Sequence, residues 1–410
     1  AGAWCGQNKY LSAIKNAFQN FMPLTIAGAI GVLWCNVLVN EQTGLGLFFK
    51  PIMALDFLNP AFQAVNFCTI SCITVGITLG IAQEIGVWNM GAERAGYIPG
   101  LVGLAAWLSV TNTSHMVEGA KEAFTGIAGN ELGATGLFTG MIIGVLSVEL
   151  FCFFEKQDAL KIKMPEQVPP GVARAFEVLV PATITLIITA CIGSACYNLT
   201  GLYLNDVIKN GIQGPLGAVG ATIPGVMIIY LVIMLFWLVG IHGNNMLSAV
   251  KEALFTPLAL ENVEKFNKGE KPTNIINMYF LQMCGEFGGS GVTIGLVIAI
   301  MIFGKREDNK AIATLSLVPG LFNINETVTF GIPMVLNPIL GIPFVVAPLV
   351  TIIIGYVLTV IGFCPVACLT VPWTTPPIVF GFLATGANVM GAVTQAILIV
   401  VSTVIYVPFL

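Results

Sequence analysis

The chain has 410 residues, of which 56% are hydrophobic and only 9% charged, with a mean hydropathy of +0.88. Its 17 basic and 21 acidic side chains are too few to coat a soluble globule of this size, which excludes an ordinary cytosolic enzyme. The net charge of −4 decides little, because the positions of Lys and Arg, not their sum, set membrane topology.

Windows of roughly 20 apolar residues follow one another along the chain, the length a helix needs to cross hydrocarbon. A β-barrel would need short alternating segments instead of these long continuous runs. The expectation is an all-α polytopic membrane protein of about ten transmembrane helices with one or two re-entrant hairpins. Ten cysteines are scattered through apolar runs and read as small packing residues. With only His115 and His242 in the chain, they assemble no zinc set. No GxxxxGK[ST] loop is present for ATP. No cleavable signal peptide is evident, and the AGAW start and YVPFL end suggest trimmed termini.

In chain order, Lys9 to Phe18 suits a surface amphipathic helix leading into a first span at about 21–39. A connector follows over 40–60, with Glu41, Lys50 and Asp56, then a second span at about 62–82. Glu84, Glu93 and Arg94 read as a short polar turn, 97–110 as a short third span, and 111–132 as a polar loop with His115, Glu118, Lys121, Glu122 and Glu131. A fourth span covers about 133–154. The basic, proline-interrupted stretch with Lys156, Lys161, Lys163 and Arg174 marks a loop on the cytoplasmic side. Fifth and sixth spans cover about 176–197 and 223–243. Lys251, Lys265, Lys268 and Lys271 then make a second basic connector over 248–275, and Lys305, Arg306 and Lys310 a third cluster. Both clusters want the same side, so 276–304 reads as a re-entrant hairpin turning at Phe287-Gly288-Gly289-Ser290-Gly291. A single kinked span with one basic loop outside is the other reading. Further apolar runs at about 311–322, 342–363 and 387–408 bracket two broken stretches.

The first broken stretch, GLFNINETVTFGIPMVLNP at 320–338, carries Glu326, the sole Asp, Glu, Lys, Arg or His from Ala311 to Leu410. Gly320, Gly331, Pro333 and Pro338 keep it from forming one clean helix. An acidic residue at bilayer depth costs roughly 2.5–3.5 kcal/mol on insertion scales and marks a functional site by default. The bland reading is a Glu at a membrane edge reaching water. His242 ends the apolar run FWLVGIHGNN between two glycines, followed by Asn244 and Asn245. Alone it reads equally well as a structural histidine; beside Glu326 it suits proton handling. The stretches FGGSG (Phe287, Gly289, Ser290), NINET (Asn325) and WTTPP (Trp373, Thr374) offer hydroxyl and amide partners, with Phe287 and Trp373 as faces on which a pyranose could stack. Singly these are small packing residues; together they favour a neutral polyol over an ion.

The strings GIHGNN, NINETVTFGIPMVLNPI, PWTTPPIVFGFLATG, IKMPEQVPPGVARAFEVLVP and FMPLTIAGAIGVL resemble the membrane-embedded enzyme IIC of the bacterial sugar phosphotransferase system, in its lactose, cellobiose and diacetylchitobiose branch. The resemblance runs over almost the whole chain. It implies a phosphoenolpyruvate-dependent transporter in the bacterial plasma membrane that takes up a β-linked disaccharide. The sugar's 6-hydroxyl would be presented to a soluble IIB, which passes a phosphoryl group from its cysteine. It further implies His242 and Glu326 as the groups on the reacting hydroxyl, with Glu326 the better general base, and a homodimer with ten spans and two hairpins. This sequence has Thr327 where the family usually has Pro. Residues 1–215 are expected to form the N-terminal bundle and dimerisation part, and 216–410 the part with the hairpins and substrate site. The implied partners are disaccharide, cytosolic IIB and IIA, and lipid; no cofactor and no nucleic acid is implied. No IIB-like stretch lies in these residues, so the phosphoryl donor is expected in trans, with the basic loops 156–174 and 251–271 on offer for docking. The competing readings are a proton-coupled secondary sugar transporter, with Glu326 and His242 as its relay, and a channel or receptor.

Overall fold

A computed structural model describes residues 8–40, 46, 49–115, 124–165, 167–332, 334 and 336–410. Expectations resting on Cys5, Glu41, Glu118, Lys121, Glu122 and Pro333 fall outside these residues. The described chain is almost entirely helical, and its one sheet among the described residues is a two-residue antiparallel pair, β1 (Ser114–His115) with β2 (Phe124–Thr125). Among the described residues, five helices are long and apolar enough to cross a membrane, or up to seven when each of two bent pairs is taken as one span.

The described residues divide into two compact units, one of residues 8–24 with Thr69–Leu216, the other of Thr25–Cys68 with Gly217–Leu410. The division falls inside helix α1 (Lys9–Leu33), which contains Pro23 and continues as one wide turn, Trp34–Leu38. The surface helix and first span expected separately are therefore one element. It starts where the Asn8 side chain accepts from the Tyr10 and Leu11 amides, both at 3.1 Å.

The Thr69–Leu216 unit packs the first part of α1 with α3 (Ile73–Met90), α4 (Ile98–Val110), α5 (Ala134–Glu155) and α6 (Pro170–Thr200); α2 (Asn59–Asn66) belongs to the other unit. Close approach comes from small residues spaced by four. A Cβ added to Gly76 would lie 2.1 Å from the Phe21 ring, and one on Gly80 would lie 3.1 Å from Ala17. On α5, a Cβ at Gly140 or Gly144 would press on Thr78 at 2.2 and 3.1 Å. Where lipid offers no hydrophobic incentive to associate, such close contact is what holds helices together.

At one end of this unit Glu155, with a side chain 3% exposed, sits between Arg94 at 2.7 Å and Arg174 at 2.9 Å, and both arginines also reach Glu177. Two expected boundaries move here. Glu84 lies inside α3, where it accepts from Asn16 at 2.9 Å, not in a polar turn. Arg174 lies inside α6, which starts at Pro170, so the basic loop is shorter than expected. Proline is at ease in a first helical turn, whose amides have no intrahelical partner.

In the other unit, α2 follows a 3-10 stretch, Lys50–Leu58. After Gly217 come α7 (Ile223–Leu238), α8 (Ser248–Asn267), α9 (Met278–Gly285), α10 (Ile294–Phe303), α11 (Glu307–Leu321), α12 (Gly341–Val360) and α13 (Val389–Tyr406). Their core holds the fully buried rings of Tyr230, Trp237, Phe255, Phe280, Phe287, Phe344 and Tyr406. The stretch expected as a basic connector at 248–275 is mostly the 20-residue helix α8, and Lys251 is buried in it. Lys251 thus forms no part of a basic docking loop. The reason is its partner, Glu286, which the positional charge rule does not anticipate.

Helices α9 and α10 are bent by 57° about a break at 286–293, a geometry that suits a broken span or a re-entrant loop. Gly288, Gly289 and Gly291 take φ of +70°, +89° and +79°, conformations that cost other residues roughly 1–2 kcal/mol. Tyr406 donates its hydroxyl to the Gly291 carbonyl at 2.8 Å, and a Cβ on Gly291 would lie 2.4 Å from the Phe344 ring. Gly362 shares the +79° φ but has open space around it. Gly291→Ala and Gly362→Ala should both lower the thermal midpoint of the detergent-solubilised protein, the former by clearly the larger margin. Equal losses would show that Phe344 does not constrain the break.

Candidate functional site

The site grows from four pieces of irregular backbone in the Gly217–Leu410 portion. The first is the end of α7. After Leu238 the chain turns through Gly240 and starts a four-residue helix, Gly243–Met246, whose N-cap is His242. Its Nδ1 accepts from the Asn245 amide at 3.2 Å. An accepting Nδ1 carries no proton, so Nε2 bears the hydrogen. Gly243 is required by closeness, since a Cβ there would lie 2.0 Å from the Ile233 carbonyl oxygen. The Trp237 ring, its centroid 4.4 Å from that of His242 and tilted by 46°, backs the imidazole.

The second piece runs from the end of α11 into the six-residue helix Glu326–Gly331. Asn323 takes a φ of +63°, a conformation asparagine tolerates better than most residues. Glu326 opens the helix, and its Oε1 lies 3.7 Å from His242 Nε2. The side chains are 48% and 35% exposed, so the carboxylate is not the buried group its apolar context suggests. Separated by 3.7 Å, the two are beyond direct hydrogen-bond range, yet one hydroxyl oxygen could meet both. Thr327 occupies the second position of this helix, where a proline would also fit, so the departure from the family pattern leaves the carboxylate's placement untouched. The returning chain is tied to α7 by the Leu336 amide, which donates to the Leu238 carbonyl at 2.8 Å.

The third and fourth pieces are the FGGSG break and the WTTPP turn, and amide side chains join them to the second. Asn323 Oδ1 accepts from the Gly288 amide at 2.6 Å, while its Nδ2 donates to the carbonyls of Trp373 and Thr375. Asn325 donates to the Ser290 carbonyl and the Thr329 hydroxyl, each at 3.0 Å. Asn244 donates to the Ser290 hydroxyl at 2.9 Å. Gly289 makes room for this seam, since its added Cβ would lie 2.6 Å from that of Asn325. Behind the turn, Gln395 accepts from the Ile378 and Gly381 amides at 2.8 and 2.7 Å and donates to the Met283 carbonyl of α9.

The structure therefore gathers His242, Glu326, Asn244, Asn325, Gly289 and Ser290. Phe287 stands apart, only 1% exposed in the core and offering no free face for stacking. Trp373 and Thr374 are exposed and are linked to the seam through the Trp373 carbonyl. Sequence reasoning did not place at the site Trp237, Asn323, Gln395 or the hydrogen-bonded trio Lys251, Glu286 and Tyr230. Trp237 lay in a quoted motif and Asn323 in NINET, so position could have pointed to them; nothing short of coordinates pairs Lys251 with Glu286.

A family profile described as "Phosphotransferase system, EIIC" matches residues 15–348. The chain is 34% identical to the PTS system oligo-beta-mannoside-specific EIIC component of Bacillus subtilis (strain 168), over 98% of this chain and 89% of that one. It is 30% identical to the PTS system cellobiose-specific EIIC component of Lactococcus lactis subsp. lactis (strain IL1403), over 98% and 94% of the two chains. Among solved structures, the transporter ChbC, the IIC component from the N,N'-diacetylchitobiose-specific phosphotransferase system, matches with a TM-score of 0.90 and 30% identity, over 99% of this chain and 94% of that one.

The seam at Asn323 is directly testable. Asn323→Gly keeps the left-handed backbone and loses the side-chain hydrogen bonds, each worth on the order of 1 kcal/mol. Asn323→Ala loses the bonds and adds backbone strain. Thermal midpoints should fall in the order wild type, Gly, Ala; unchanged midpoints in both variants would show that Asn323 does not hold the three segments.

Proposed function

The chain belongs to the EIIC family of the phosphotransferase system, the multi-pass membrane permeases of phosphotransferase sugar transport, and from that membership we propose that it takes up a β-linked disaccharide of the diacetylchitobiose or cellobiose type and presents its 6-hydroxyl to phospho-IIB. The sugar class follows the relatives, which are named for oligo-beta-mannoside, cellobiose, lichenan and N,N'-diacetylchitobiose.

The observation carrying the chemistry is the 3.7 Å separation of His242 Nε2 and Glu326 Oε1. A hydroxyl seated between them accepts from the Nε2 hydrogen and donates to the carboxylate. As its oxygen forms the new bond to phosphorus and the bond to the IIB cysteine breaks, the hydroxyl proton passes to Glu326. Phosphoryl transfer asks a protein mainly for such positioning and for a group to take this proton. The half-exposed state of both side chains supports this reading, because a ligand can reach them. The product is an anion, and an apolar bundle opposes its return.

The proposal extends to architecture: a homodimer of ten spans and two re-entrant hairpins per chain, with residues 1–215 as the dimerising part and 216–410 as the transporting part. Every residue of the gathered site lies after Gly217, and the 278–303 break supplies one candidate hairpin.

In membrane vesicles supplied with phosphoenolpyruvate and the soluble phosphotransferase components, cellobiose or diacetylchitobiose should accumulate as its phosphate. Glu326→Gln should lower phosphorylation by about 10²-fold or more, in the range assigned to a general base, while equilibrium binding of labelled sugar stays measurable. Full activity in Glu326→Gln would remove the carboxylate from the reaction, and accumulation of unmodified sugar under a pH gradient alone would favour proton coupling.

A further inference from the structure

Lys251 lies in the first turn of α8, its side chain only 7% exposed, with its ammonium against the Glu286 carboxylate. Glu286 is the first residue after α9 and opens the FGGSG break. Tyr230 of α7 donates its hydroxyl to the same carboxylate oxygen at 2.8 Å. The ammonium also reaches Asn244 Oδ1 at 3.4 Å. An ammonium only donates, so this contact fixes which end of the Asn244 amide is oxygen. The other end, Nδ2, must then point to the Ser290 hydroxyl. Ser290 in turn accepts at its carbonyl from Asn325, the residue before Glu326. At the near end, Asn244 lies in the four-residue helix that His242 caps. One buried cation is thus linked, through hydrogen bonds that meet at the side chain and the backbone carbonyl of Ser290, to the elements that carry both His242 and Glu326.

We infer that the Lys251–Glu286 pair is a positioning device for phosphoryl transfer: it sets the orientation of the Asn244 amide and, through Ser290 and Asn325, the placement of Glu326 relative to His242. This rests on the reading of those two residues as the groups that hold the reacting hydroxyl. Lys251 and Glu286 act through their neighbours, so their loss affects the rate at saturation rather than sugar affinity. Displacing a reacting group by about 1 Å can cost 10²-fold in rate.

The test is phosphorylation of cellobiose by phospho-IIB, with the rate expressed per sugar-binding site titrated on the same purified sample. Lys251→Met should lower kcat per site by at least about tenfold while the sugar Kd changes by less than about threefold. In a double-mutant cycle, Lys251→Met should add no further loss to Asn244→Ala, because the route through Asn244 is already cut. Removing one member of a buried ion pair also destabilises, so the double variant Lys251→Met/Glu286→Met separates the roles. It should recover the thermal midpoint lost in the single variant while kcat stays low. Recovery of kcat together with the midpoint would reduce the pair to a structural one, and additivity with Asn244→Ala would break the proposed route; either result overturns the inference. An arm without sugar tests the same contact: Asn244→Asp should cost less thermal midpoint in the wild type, where Lys251 faces the new carboxylate, than in the Lys251→Met/Glu286→Met background. Full activity in Glu326→Gln would overturn the reading of that carboxylate on which the inference rests, an outcome told apart from failure of the Lys251–Asn244 coupling, which the double-mutant cycle reads.

Discussion

Broken backbone in an apolar environment has to find hydrogen-bond partners within the protein, and in the Gly217–Leu410 portion neutral amide side chains supply them. Asn262, fully buried, accepts from the amides of Thr273 and Asn274 and donates to the carbonyls of Asn274 and Ala367. Asn277 donates to the same two carbonyls and caps α9 through the amides of Tyr279 and Phe280. Asn323, Asn325 and Gln395 do the same at the seam between the FGGSG, NINET and WTTPP stretches. An amide carries donors and an acceptor on one short stem without the desolvation penalty of a charge. Irregular chain at this depth is tolerable only when satisfied in this way. Neutral amides thus join the converging loops of this site, with the Lys251–Glu286 pair as the ionised groups beside them.

The same arrangement gives the site its precision. Loops carry functional groups but are imprecise unless their backbone is fixed from outside. Each of the two reacting-group candidates is fixed locally. His242 is oriented by its own cap bond to the Asn245 amide and by the Trp237 ring. Glu326 follows directly on Asn325, whose amide is anchored to the Ser290 carbonyl. The glycines serve this end by removing volume. Gly243 lets the His242 turn lie against the Ile233 carbonyl, and Gly289 lets Asn325 reach the break. Val292 and Ile378, β-branched residues with φ of +49° and +75°, flank the break and the WTTPP turn. Such backbone is costly and persists where its surroundings over-determine it, as they do at functional sites.

Much of this was legible in the sequence for a physical reason: charge is so scarce here that each ionised residue is informative. Glu326 stands out in a hundred residues without another charge, and His242 is conspicuous between two glycines. Helix positions followed from apolar length, so Ala134–Glu155, Gly341–Val360 and Val389–Tyr406 match their expected spans within a few residues. The failures share one cause. Lys251 was grouped with Lys265, Lys268 and Lys271 because positional charge rules treat every lysine as solvated. Its burial depends on a partner 35 residues on, and linear order does not reveal that pairing. Phe287 was assigned a ligand face because aromatic rings near glycine-rich turns suit sugars; its core position is decided by the packing of the broken helix pair. The boundary of α6 moved because Arg174 finds Glu155 and Glu177 and needs no loop to reach water.

The role proposed for Glu326 places two opposing demands on it. In the proposed role as base for a sugar hydroxyl, its carboxylate must be open to the arriving hydroxyl, which favours exposure. It must also hold one position, which favours packing. Deep burial would secure the position and close the approach; full exposure would keep the approach and lose the position. Its backbone is therefore tied down through Asn325 while its carboxylate, half exposed, faces an imidazole whose Nε2 bears the hydrogen. In the proposed reaction the Nε2 hydrogen, assigned by the cap bond at Nδ1, is the one offered to the hydroxyl, and the carboxylate is the group offered to its proton. The 3.7 Å separation suits the proposed division of labour, since one hydroxyl oxygen placed between the two groups could meet both.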